Sequence, residues 1–434
     1  MADRYDAIII GAGIIGVCIG LELSRRGWRT LNIDRLPTAG YGSTSSSSAI
    51  VRTFYSTETG TALAWEGLHA WKAWRDHVGA GDDRDLAQYI STGCLVLKTG
   101  PDATLDRACE ASDRLGIPWE AWAPGRIGER FPGFDLRGFA PVRRPDDPEF
   151  GEPGGGGITG AVFFPEGGYV NDPQLAAHNA RLAAGTAGAA FLFNARVAEI
   201  RHKAGRVEGV ALATGETLDS PVVINAGGPH SSAINRLAGV DGDMRIRTRP
   251  MRREVAHVPA PDGMDAGGDG CVIADPDVGC YSRPEIGNHL LIGTPEPECD
   301  PPDWADPDDF DRNLTDQWRA QVWRAAQRMP GLPIPHRMQG VVDLYDVSDD
   351  WIPVYDRAAL GGWYMAIGTS GNQFKNAPVV GALMAELIER CEAGHDHDRD
   401  PVRFALPRTG GTIDLGFFSR LRGANEDSSF SVLA

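Results

Sequence analysis

Short apolar runs punctuated by glycine open the chain. Residues 6–10 form an apolar run of the kind that makes a parallel strand buried on both faces. Residues 14–26 then carry a helical pattern that stops at Gly27, a residue able to take positive φ at a helix end. Residues 28–34 predict the second strand. Leu68, Trp71, Trp74 and Val78 recur at three- and four-residue steps, so residues 61–78 predict one helix with an apolar stripe, whose tryptophans serve the core. Residues 141–157 are rich in proline, charge and glycine and read as an exposed loop.

The middle of the chain predicts strands at 191–202, 206–213 and 220–225, and a β-rich stretch over 245–293. An acidic, proline-rich linker at 300–311 leads to a helix at 314–328. A strand at 363–367 precedes a helix at 378–389 with proline in its first turn. The last 40 residues show little periodicity and are expected to wrap the surface. No internal repeat is visible.

Composition narrows the class. The 42 basic residues face 59 acidic ones, for a formal charge of −17, which argues against a nucleic-acid surface or an anionic-membrane patch. Only four of the basic residues are lysines (Lys72, Lys98, Lys203, Lys375), so a lysine is an unusual choice in this chain. The seven cysteines are dispersed without a CxxC pair and read as reduced thiols rather than a disulfide framework or a zinc site. The apolar run at 7–20 is too short to span a bilayer and has no basic leader before it, so the expected location is the cytoplasm, without a membrane partner. His69, His230 and His289 lack metal spacing, and no metal site is expected.

Gly11-Ala12-Gly13-Ile14-Ile15-Gly16 is a GxGxxG placed between a predicted strand and a predicted helix. Gly11 permits the tight turn, Gly13 lets backbone approach a pyrophosphate at the helix start, and Gly16 lets helix and strand pack closely. Asp34 lies 18 residues past Gly16, where an acid can bond the adenosine ribose hydroxyls. Three further segments favour FAD over NAD: Gly42-Ser43-Thr44 after the second strand, the strand at 222–225 running into Gly227 and Gly228, and Gly368–Gly371 ahead of the last helix. Such a helix start favours the charge a reduced flavin gains at its pyrimidine edge.

The segments GAGIIG, GSTSSSSAIVRTFYS, FFPEGGYVNDP, VINAGGP and AIGTSGNQFKNAP, in that order over roughly residues 5–390, resemble the amine-oxidising FAD family of sarcosine oxidase, glycine oxidase and D-amino acid dehydrogenase. The resemblance implies an α/β fold with two discontinuous lobes: a Rossmann-like FAD-binding domain from 1–85, 161–235 and 335–392, and a mostly antiparallel-sheet substrate domain from 86–160 and 236–334, followed by a tail at 393–434. It implies further non-covalent FAD contacts at Arg35, Ser48, Val197, Gly371, Asn372, Gln373, Phe374 and Lys375. It also makes Arg52 and Lys375 the ligands of a substrate carboxylate and places Tyr345 in the same catalytic site. Charge-assisted bonds from Arg and Lys would hold the acid group and set the α C–H for hydride transfer to flavin N5. Two buried cations would also favour the neutral amine by repelling its protonated form. Arg283, beside Glu285, is expected to be a structural salt-bridge residue.

Departures from the family pattern refine this. Asp343 stands where monomeric sarcosine oxidase tethers its flavin through cysteine, and Leu291 where that enzyme has an oxygen-activating lysine. Ala49 replaces a second arginine, and Asn372-Gln373 replaces a common His-Gly, which implies a different substrate end of the pocket. The expected reaction is FAD-dependent oxidation of a glycine-like or N-substituted glycine, with hydrolysis of the imine and reduction of oxygen to peroxide. A narrower expectation is removal of an N-carboxymethyl group from a β-amino acid with release of glyoxylate. A dehydrogenase with a quinone or protein acceptor, and a non-catalytic FAD-binding subunit, stay open as alternatives.

Overall fold

A computed structural model of the chain describes residues 4–81, 85–264, 268 and 270–432. Among these, a six-stranded sheet runs in the order Val354–Arg357, Trp363–Ile367, Val223–Asn225, Ala7–Ile10, Thr30–Ile33, Ala190–Leu192. All its pairings are parallel except the one between Val354–Arg357 and Trp363–Ile367. The central strand Ala7–Ile10 is buried throughout, as its unbroken apolar run requires. On one side lies the helix Ile14–Arg25, which packs between the helices Ala377–Glu392 and Pro173–Thr186.

A second sheet of eight strands holds Gly340–Ser348, Thr248–Pro259, His289–Gly293, Cys280–Glu285, Val272–Asp275, Cys94–Lys98, Gly160–Phe164 and Glu120–Trp122 in that order. It is antiparallel apart from the pairing of Val272–Asp275 with Cys94–Lys98. Its first two strands pair over nine positions, which set Met251 against Tyr345, Arg253 against Asp343 and Val255 against Val341. The helix Asp316–Arg328 packs on this sheet and ties into it through Arg328, whose guanidinium bonds Asp275 and Asp277 at 2.7 Å each. The two sheets define a mixed α/β fold with a Rossmann-like half.

Three expectations give way. The single helix at 61–78 is two, Glu58–Lys72 and Trp74–Val78, broken at Ala73; the first begins earlier because the Thr57 side chain caps it by accepting from Gly60 N. The strand at 191–202 is also two. Ala190–Leu192 ends the parallel sheet, Asn194 turns the chain with φ at 56°, and Val197–Lys203 begins a separate antiparallel sheet with Arg206–Leu212 and Thr217–Asp219.

The tail is the third. Arg420 is buried against Asp356, Asp243 and Asp398, Arg422 bonds Asp350 at 2.8 Å, and the chain then runs inward so that Val432 packs with Met251, Tyr281, Val347 and Trp351. Buried ion pairs hold this segment in place together with a few buried apolar residues, Val402, Phe404, Leu406, Ile413, Leu415 and Phe418, which join the main core. Arg283 bonds Glu285 at 2.8 Å, as expected of a structural pair. All seven cysteines are free thiols. Among the described residues no helix is long and apolar enough to cross a membrane, and no His, Cys, Asp and Glu cluster could hold a metal.

Candidate active site

A cavity of about 610 Å³ is walled by residues of both large sheets. Its nucleotide end forms where the strand Ala7–Ile10 turns into the helix Ile14–Arg25. Gly11 has φ at +114°, and a Cβ there would lie 2.3 Å from the Ala226 carbonyl oxygen, so the turn admits only glycine. Gly13 caps the helix without any side-chain bond, and Gly13, Ile14 and Ile15 all line the cavity. Ile14 N donates to Thr44 Oγ1 at 3.1 Å. The positive end of a helix thus meets a space able to take phosphate. Gly16 is not in the wall. A Cβ on it would sit 2.3 Å from the Gly11 carbonyl oxygen, so it serves the close packing of helix on turn rather than the cavity.

Asp34 reaches the same end. Its Oδ2 accepts from Ala12 N at 2.7 Å and its Oδ1 from Leu36 N at 2.9 Å, which fixes the carboxylate at the cavity wall. Arg35, on the rim, bonds Asp308 and lies 2.8 Å from His230 Nε2. Gly42, Ser43, Thr44, Ser48, Val197 and Gly227 line the cavity as well. Ser43 Oγ donates to the Leu344 carbonyl at 2.8 Å, and Ser46 Oγ donates to Asp343 Oδ2 at 2.7 Å.

Two wall residues carry polar atoms that are buried with no hydrogen-bond partner: Asp346 Oδ1 and Asn372 Nδ2. Unsatisfied buried groups are rare in folded proteins, and a polar cofactor in the cavity would satisfy them. Together with the glycine turn, they fit a dinucleotide.

The end of the cavity that holds Arg52 and Lys375 draws on distant parts of the chain. Arg52 follows the short strand Ile50–Val51 and is 5% exposed. Its Nη1 donates to the Phe54 carbonyl at 2.6 Å and its Nη2 to the Val432 carbonyl at 2.7 Å. Lys375 lies in the 3-10 turn Phe374–Asn376 ahead of the last long helix and is 2% exposed; its Nζ donates to the Asn372 carbonyl at 2.5 Å. Both cations lie against one aromatic ring. The Arg52 guanidinium is 4.0 Å and the Lys375 ammonium 4.7 Å from the Tyr55 ring centre. Burial lowers the pKa of both, and for Lys375 the nearby Arg52 lowers it further, to well below the ordinary lysine value. No carboxylate among the described residues lies within ion-pair distance of Lys375.

Tyr345, Gly371, Asn372, Gln373 and Phe374 line the cavity beside these cations. Behind them Tyr55 Oη donates to the Asn372 carbonyl at 2.7 Å, Tyr355 Oη donates to Gln373 Oε1 at 3.0 Å, and Asn376 Nδ2 donates to that same Oε1 at 2.7 Å, a buried network that holds the Lys375 turn in position. The sequence did not single out Tyr55, Tyr281, Arg253, Glu296 or Val432. One signal was present: Met251, Arg253 and Val255 alternate on one strand face, and an arginine between two apolar residues there is anomalous.

Glycine turn, helix start and fixed acid define a dinucleotide-binding α/β protein. The chain belongs to the DAO family, the FAD dependent oxidoreductases, whose profile matches residues 6–387. FAD is accordingly its cofactor, and the protein is an FAD-dependent amine or amino acid oxidoreductase. A glycine oxidase from Geobacillus kaustophilus (strain HTA426) is 26% identical over 404 residues, covering 91% of this chain and 96% of that protein. The crystal structure of glycine oxidase from Geobacillus kaustophilus superposes with a TM-score of 0.72 at 22% identity, covering 97% of this chain and 100% of that one. L-proline dehydrogenase from P. horikoshii superposes with a TM-score of 0.74 at 22% identity, covering 90% of this chain and 95% of that one.

Proposed function

We propose that the protein oxidises the C–N bond of a small amino acid of the glycine or N-substituted glycine type, with Arg52 and Lys375 as joint ligands of its carboxylate. The observation that carries this reading is the meeting of two buried cations of the cavity wall, 323 residues apart in sequence, on the single buried Tyr55 ring. Holding an ammonium out of water costs stability, and an incoming carboxylate offsets that cost through charge-assisted bonds. Bound FAD supplies the acceptor for the hydride.

The chain's own residues do the rest. The Tyr55–Gln373–Asn376 network fixes where Lys375 stands, and the Phe54 carbonyl fixes Arg52, so the acid group arrives in a single pose. Their positive field disfavours a protonated substrate amine and so keeps its lone pair available. Water then hydrolyses the imine product. Tyr345 bounds the substrate side of this space. At Asp343 the cavity wall carries a carboxylate in place of a thiol, in keeping with non-covalent FAD. In the narrower reaction, release of glyoxylate from an N-carboxymethyl β-amino acid, the substrate would bring a second carboxylate into the same cavity.

Anaerobic mixing with glycine, sarcosine and longer N-alkylglycines is expected to bleach the oxidised flavin and release the matching amine. A flavin that no member of this panel bleaches would contradict the assignment. Oxygen is proposed as the final acceptor: reoxidation in air is expected to keep pace with turnover, and a rate far below turnover would point to a quinone or protein acceptor.

A further inference from the structure

Arg253 lies in the strand Thr248–Pro259, where it walls the cavity with Val255 and faces Asp343 across the sheet. Its guanidinium carbon is 5.8 Å from the Tyr345 ring centre, and its side chain is 11% exposed. Nη2 bonds Glu296, whereas the Nε donor is buried without a partner. A guanidinium has five N–H donors in a planar fork, so this pairing leaves capacity for a second anion.

The tail supplies a ruler for the chamber. The Val432 carbonyl accepts from Arg52 Nη2 at 2.7 Å, and Val432 N donates to Glu296 Oε2 at 3.1 Å. One amino-acid residue therefore spans the gap between Arg52 and the Glu296–Arg253 pair. A short amine with an acid group at each end has that reach.

We infer that Arg253 forms a second acid-group subsite in the chamber served by Arg52 and Lys375, so that the preferred amine is a diacid with one carboxylate on its glycine arm and one on its nitrogen substituent. The inference rests on the Arg52–Lys375 reading and narrows it. Burial pushes the Glu296 carboxyl up to about 7 against the pull of Arg253, so near neutral pH it takes up a proton readily when a second carboxylate replaces it on Arg253. An Arg253–Glu296 pair that served packing alone would leave ligands with one and two acid groups indistinguishable.

Unreactive thioether acids separate these cases, because sulfur replaces the oxidisable nitrogen. Calorimetric titration of the FAD-loaded protein with thiodiacetate and with (methylthio)acetate is expected to show the diacid binding at least about tenfold more tightly. In the double variant Arg253→Met with Glu296→Gln, which removes both charges together, the ratio of the two affinities falls below about threefold, whereas Arg253→Lys keeps part of the preference. Equal binding of the two acids by the wild type, or a preference that survives in the double variant, would overturn the subsite. If neither acid binds, the Arg52–Lys375 reading falls with it; if (methylthio)acetate binds without a diacid preference, only the second subsite falls.

Discussion

The two ends of the cavity are built by different means. At the nucleotide end, Gly11, Gly13, Ile14, Ile15 and Asp34 lie within one strand–helix–strand unit, and they act largely through backbone amides and a helix start. At the substrate end, Arg52 with its neighbour Tyr55, and then Arg253, Tyr345, Lys375 and Val432, come from segments far apart in sequence that only the finished fold brings together. The first end depends on a local turn and uses dipoles that are present in any helix. The second keeps charged groups out of water, and the cost of that falls on the stability of the whole chain. Cofactor affinity and substrate affinity are therefore expected to respond to different substitutions.

The largest effect tests the local end. Gly11→Val sets a side chain against the Ala226 carbonyl at a φ that β-branched residues avoid, and the variant is expected to purify without flavin or not to fold. A yellow Gly11→Val protein with normal flavin content would break the account of the turn.

Next, Lys375→Met is expected to weaken binding of (methylthio)acetate by about 10- to 100-fold while raising Tm. The sign follows from its lowered pKa. Between the folded value and the ordinary 10.5, the unfolded chain binds the extra proton, so stability rises with pH across that window, and the Met variant loses this slope. Thermal unfolding at a series of pH values reads both effects.

Glu296 gives the opposite slope. Its carboxyl rises from an ordinary 4.5 to about 7 on folding, so the native state binds the extra proton and its stabilising effect is lost as pH climbs through that interval. Wild-type Tm is therefore expected to fall, relative to Glu296→Gln, between those pH values. The smallest effect belongs to the rim. The Arg35–Asp308 pair is largely exposed, so Asp308→Asn is expected to change FAD affinity by less than about fivefold, in line with the 0–1 kcal/mol of surface ion pairs.

Legibility in the sequence follows the same division. The strand Ala7–Ile10, the glycine turn, the strand Trp363–Ile367 and the last long helix could be read because each is specified by neighbouring residues. The run around Asn194 misled because apolar alternation marks a strand without saying which sheet it joins, and a single left-handed residue moves the chain from one sheet to another. Arg52 and Lys375 stood out through motif resemblance and through the scarcity of lysine. Glu296 and Val432 did not, since their roles arise from a tail held by buried ion pairs such as Arg422–Asp350. Such pairs leave no periodic trace along the chain.

Arg52 is proposed to grip the acid group of the ligand without any part in holding FAD. The most direct test is the dissociation constant of (methylthio)acetate for Arg52→Met and for wild-type protein, measured at equal flavin content. Charge-assisted bonds from a guanidinium predict a rise of at least about tenfold in the variant, with FAD retained in full. A dissociation constant within about threefold of wild type, or loss of flavin along with the acid, would contradict the account.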